Sequence, residues 1–77
     1  MISFDPDDAV AYGLREAVML AVVRANESLT LTTAMAQCPW WSRREVLNLL
    51  EILTIHGEVR EIEAGACWRL VTREGER

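Results

Sequence analysis

Residues 41–59 read Trp41-Ser-Arg-Arg-Glu-Val-Leu-Asn-Leu-Leu-Glu-Ile-Leu-Thr-Ile-His-Gly-Glu-Val59. Ser42 and Glu45 stand in the Ser-x-x-Glu spacing of a capping box. The serine oxygen can accept from the Glu45 amide while the glutamate side chain returns to the Ser42 amide. Gly57 supplies the left-handed residue on which helices commonly end. Between these two signals lie roughly four turns of helix. At 100° per residue, Val46, Leu49, Leu50 and Leu53 share one face. Arg44, Asn48, Glu51 and Ile55 share the other, flanked by Leu47 and Ile52. A capped helix from about Ser42 to His56, a glycine stop and then a strand is therefore expected.

The flanks extend this pattern in both directions. Asp5-Pro6-Asp7-Asp8 is a helix start, with Asp5 as N-cap, Pro6 in the first turn and two acids facing the positive end of the dipole. That helix is expected to run to about Arg24 or Ala25, burying Val10, Leu14, Ala17, Val18, Ala21 and Val22. Gly13 in its interior disfavours helix by about 1 kcal/mol relative to alanine, which suggests a close helix contact there. Tyr12, Met19 and Val23 form an apolar stripe on its opposite side. That stripe reads either as further core or as a homodimer or partner surface. Asn26-Glu27-Ser28 is a turn, and Leu29-Thr30-Leu31 a short strand. Thr32 or Thr33 can cap a second helix through about Gln37, with Ala34 and Met35 packing inward. Cys38-Pro39-Trp40-Trp41 leads into the capped helix. Its tryptophans either wedge two helices apart, with at least one ring buried, or offer rings for nucleic-acid stacking.

After Gly57 a hairpin is expected from Glu58 to Val71, turning at Ala64-Gly65. Pairing Glu63 with Ala66 sets Val59 opposite Leu70 and Glu61 opposite Trp68 on one face. On the other face it sets Ile62 opposite Cys67 and Arg60 opposite Arg69. Two facing arginines repel unless an acid or an anion lies with them. Either the neighbouring glutamates neutralise them or they grip a phosphate.

The order helix, strand, helix, helix, strand, strand resembles that of winged helix-turn-helix domains. The capped stretch is similar to their third helix at Ser42, Val46, Leu50-Glu51, Leu53, Gly57 and Val59. The run Asp8-Ala9-Val10-Ala11-x-Gly13-Leu14-x-Glu16-Ala17-Val18-x-Leu20 and the step Pro39-Trp40-Trp41-Ser42 resemble the N-terminal winged-helix domains of phage and plasmid replication proteins, including DnaT-like primosomal proteins. The turn at Asn26-Glu27-Ser28 is shorter than the glycine-containing segment of those relatives. The resemblance implies an α+β fold of three helices, a short strand and a C-terminal hairpin wing. It spans one domain over residues 1–77, frayed at 1–4 and 72–77, and implies a phage- or mobile-element-type protein acting in replication or transcription regulation.

Composition bounds the function. Seventy-seven residues make one small domain, whose thin core a dimer would stabilise. A 51% apolar, 26% charged chain is ordinary for a globular protein. No apolar run approaches the length of a membrane span, and no signal peptide is apparent, so a cytoplasmic protein is expected. Cys38 and Cys67 are too few for a zinc site and read as reduced thiols. There is one histidine, His56, whose place near a helix C-terminus is structural, and no phosphate-binding glycine loop. No catalytic residues, metal, cofactor or small-molecule substrate are expected, and the chain reads as not an enzyme.

The net charge of −4 counts against nucleic acid, yet all eight cations are arginines, suited to phosphate. Two functions remain. In the first, duplex DNA is bound by Ser42, Arg43 and Arg44 at the helix N-terminus. Arg44 and Asn48 read bases, and Arg60 and Arg69 grip the backbone. In the second, a protein partner or second copy meets an acidic wing and the apolar residues Tyr12, Met19, Val23, Leu47, Ile52 and Ile55. Glu51, in the middle of the candidate recognition face, favours the second.

Overall fold

The structure, a computed structural model, describes residues 4–71. Those residues form α1 (Pro6–Tyr12), α2 (Leu14–Arg24), β1 (Leu29–Thr30), α3 (Leu31–Gln37), α4 (Arg43–Ile55), β2 (Val59–Glu63) and β3 (Cys67–Leu70). They make an α+β unit of four helices and a three-stranded antiparallel sheet in the order β1-β3-β2. The expected fraying falls, Phe4 apart, outside the described residues. No helix among those residues is long and apolar enough to cross a membrane.

The first helix begins as expected and then departs from expectation. The Asp5 carboxylate accepts from the Asp7 amide at 2.9 Å, and Pro6 occupies the first turn. At Gly13 the chain breaks into two helices instead of continuing to Arg24. Gly13 has φ 108° and ψ 161°, a backbone region open essentially to glycine alone. Its amide closes α1 on the Ala9 carbonyl at 2.9 Å, and its carbonyl opens α2 by accepting from Ala17 at 3.0 Å. The glycine is thus a hinge between helices, not a point of close helix packing. The break re-aims the helix, so Val10 is 89% and Leu14 66% exposed, where both were expected in the core.

The same re-aiming buries the opposite stripe. Met19 and Val23 are fully enclosed, together with Ala17, Leu20, Ala21 and Val22. A homodimer or partner surface on Met19 and Val23 is therefore ruled out. In a domain this small α2 is covered on nearly every side, because α4 and the sheet both pack on it. Tyr12 lies partly buried against the core; its hydroxyl donates to the Glu58 carboxylate, and its ring tilts on His56 at 5.1 Å between centroids.

β1 is two residues long and α3 starts earlier than expected, at Leu31. Thr30, with extended φ and ψ, ends the strand and caps the helix, accepting from the Thr33 amide at 3.1 Å. Leu29 pairs with Trp68 and is fully buried, while Leu31 packs against the core from the first helical turn. The Asn26 side chain ties the preceding turn to the Val22 carbonyl at 2.7 Å and to Gln37 at 3.2 Å.

α4 is the capped helix. Ser42 and Glu45 form both bonds of the capping box, and Val46, Leu49, Leu50 and Leu53 are its buried residues. At its end the Glu58 amide donates to the Leu53 carbonyl and the Gly57 amide to the Thr54 carbonyl, each at 3.0 Å, with Gly57 at φ 81°. This is a Schellman closure, which turns the chain directly into β2. Val59 and Trp68 complete the core, with Leu70 packed beside them.

The hairpin register is as expected from Val59–Leu70 through Arg60–Arg69 to Glu61–Trp68. Beyond that point Glu63 pairs with Cys67, so Ile62 is an extra residue in a bulge. The expected pairs Ile62–Cys67 and Glu63–Ala66 are absent. The turn explains the slip. Ala66 donates back to the Glu63 carbonyl at 2.9 Å, and Glu61 Oε2 accepts from the Gly65 amide at 2.7 Å. These contacts hold four residues at the tip and leave Ile62 unmatched.

Candidate nucleic-acid interface

The buried Val46–Leu53 face of α4 turns Arg43, Arg44, Asn48, Glu51 and Ile55 outward. Arg43, Arg44, Leu47 and Asn48 line one shallow hollow. Arg60 and Arg69, side by side on the outer face of the hairpin, line a second with Ile62, Leu70 and Val71. Among the described residues none of these four arginines makes an ion pair; the pairs present are Arg15–Glu45 and Arg24–Asp8. Arg60 and Arg69 are both exposed, and no hairpin glutamate among the described residues makes an ion pair with either.

Ser42 stands apart from the other residues expected at DNA. Its hydroxyl oxygen accepts from the Glu45 amide at 3.2 Å, and Glu45 Oε1 lies 3.3 Å from the Ser42 amide and 3.4 Å from its hydroxyl. A carboxylate thus already occupies the first turn of α4, where phosphate was expected, and Ser42 serves as a cap. Arg43 and Arg44 project from the turn that this cap holds.

The four arginines line two hollows, Arg43 with Arg44 in one and Arg60 with Arg69 in the other. A third concavity, a cleft of about 220 Å³ between α4 and the sheet, is lined by Leu47, Glu51, Thr54, Glu61 and Trp68. Glu51 and Glu61 therefore share the lining of this cleft with Leu47 and nearly buried Trp68. The sequence held the signal for this. Leu47, Glu51 and Thr54 recur at i, i+4 and i+7, and the hairpin register sets Glu61 opposite inward-facing Trp68. What it lacked was the docking of that helix face on that sheet face. Ile55 is 76% exposed, whereas Leu47 and Ile52 are half-buried.

The Trp40-Trp41 pair divides its roles. Trp41 packs against the core, while Trp40 is 62% exposed. The two rings meet edge to face, 5.8 Å between centroids at 67°. Cys38 is fully buried, and burial pushes its thiol above the ordinary range; Cys67 is half-buried and also free. No group of three or more His, Cys, Asp or Glu residues suited to a metal occurs among the described residues.

Compared with family models, with curated proteins and with solved structures, the chain gives no match.

Proposed function

We propose that this chain is a winged-helix domain that binds duplex DNA, with α4 as its recognition helix and the β2–β3 hairpin as its wing. The carrying observation is the state of the arginines. Arg43, Arg44, Arg60 and Arg69 are exposed and free of ion pairs among the described residues, in a chain of net charge −4 that offers acids to pair with. The succession α2-β1-α3-α4-β2-β3 and the sheet order β1-β3-β2 support the fold assignment. In this reading Arg44 and Asn48 reach base edges, and Arg43, Arg60 and Arg69 hold phosphates. The resemblance of the opening run and of Pro39-Trp40-Trp41-Ser42 extends the proposal to a phage- or mobile-element-type protein in replication or transcription regulation.

The test is fluorescence anisotropy with a mixed-sequence duplex, beginning at low salt. Arg43→Ala should weaken binding to every duplex alike, and Arg44→Ala and Asn48→Ala should each relax preference at one base position. The acidic cleft and exposed Ile55 favour a second reading, a protein-interaction module without DNA binding. Absence of binding to duplex and single strand at low salt would move the assignment to that module.

A further inference from the structure

We infer that Trp40 is a stacking platform for an unpaired base, so that the DNA taken by this domain carries unpaired bases beside its duplex. This rests on the DNA-binding reading and names the form of its ligand. Trp40 sits at the apex of a turn closed by the Trp41 amide donating to the Cys38 carbonyl at 3.1 Å. Both ends of that turn are anchored: Cys38 is fully buried, and Trp41 packs on the core. The middle is displayed, with Trp40 62% exposed next to an exposed Pro39. The edge-to-face contact with Trp41 fixes how the ring stands. The chain elsewhere encloses Met19, Leu20, Leu29 and Leu50 completely, so it does not lack means to cover a large side chain.

Position and charge select the ligand. Trp40 lies three residues before Arg43, which can hold the backbone of the same strand. Within a duplex the faces of bases are covered by their neighbours, so an indole face finds a partner only on an unpaired or terminal base. Stacking also requires no cations. In a chain of net charge −4 it adds affinity that the phosphate contacts alone do not supply.

The experiment compares a blunt duplex, the same duplex with a single-stranded extension at one end, and a thymine tract, each titrated by anisotropy. The unaltered chain should prefer the extended duplex to the blunt one. Trp40→Ala should lower affinity for the extended duplex about tenfold, typical of losing one base–aromatic stack, and weaken the blunt duplex, which offers only its terminal bases, much less. Trp40→Phe should retain most of the affinity. A circular-dichroism melt of each variant separates loss of the ring from loss of fold. Equal affinity for blunt and extended duplexes, with Trp40→Ala silent or weakening both alike, would overturn the stacking role and leave duplex binding standing. Failure of all three probes to bind the unaltered chain would overturn both.

Discussion

Gly13 shows how one residue sets the course of a chain. Its φ of 108° is closed to side-chain-bearing residues, and a Cβ there would come within 2.6 Å of Glu16 Oε1. The glutamate end can swing aside, so the backbone conformation is the larger cost, of order 1–3 kcal/mol. Gly13→Ala should therefore lower the melting temperature by at least about 5 °C, read by circular dichroism. An unchanged or higher temperature would mean that α1 and α2 can merge. Met19 belongs to the same scale. Because it is fully buried, Met19→Glu should abolish cooperative unfolding instead of yielding a folded monomer. The two cysteines differ likewise. Burial raises the Cys38 thiol, so a thiol reagent should modify Cys67 in the native protein and reach Cys38 only with unfolding. The sign of the linked stability follows from that direction. The contribution is intact below the ordinary thiol range and declines as pH rises through it, because the unfolded chain ionises there and the folded one resists.

Among the elements, α4 is where local chemistry and tertiary packing agree. Its cap, its apolar face and its Schellman stop are all written within 42–58, and each acts over at most a few residues. Ser42→Ala removes the oxygen held by the Glu45 amide and should cost about 1 kcal/mol. In a domain of this size that is a fall of about 4–8 °C in melting temperature. A loss below experimental error would show the cap to be replaced by water. The helix was legible in the sequence for this reason, and so was the hairpin register next to Gly57, since a Schellman turn delivers Val59 directly onto the sheet. The break at Gly13 was harder to read, because a glycine inside an apolar helical pattern fits both a contact and a hinge. The bulge at Ile62 depends on a side-chain bond from Glu61 to the turn, which no alternation of apolar residues encodes. At the candidate site, the outward set Arg44, Asn48, Glu51 and Ile55 followed from helix period alone, and Arg43 from its place at the helix N-terminus. The grouping of Glu51 with Glu61 needed the packing of helix on sheet, and the exposure of Trp40 needed the anchoring of Cys38 and Trp41.

For the molecule as a whole the open balance is between two arginine pairs and an acidic cleft. If all four arginines meet phosphates, the log–log salt slope of duplex binding should lie near about −3 to −4, at about 0.9 per contact. Arg60→Ala should reduce its magnitude by about 1 without altering sequence preference. A slope near about −2 that Arg60→Ala leaves unchanged would confine the contact to Arg43 and Arg44. The cleft gives the sharper discrimination. Glu51 and Glu61 line it over Leu47 and Trp68, and their charges oppose phosphate wherever DNA lies along α4. Replacing both by glutamine removes two negative charges and leaves an oxygen on Glu61→Gln to accept from the Gly65 amide, so the turn should persist. If α4 faces DNA, the double variant should bind duplex several-fold more tightly at low salt, with the gain fading as salt screens it. If the cleft instead receives a basic side chain of a protein partner, neutralising it should leave duplex affinity flat and weaken that partner. Arg44→Ala measured beside it fixes the direction of the readout. Loss of affinity in Arg44→Ala together with gain in the glutamine variant would place DNA on this face of α4, and no response in either would exclude it.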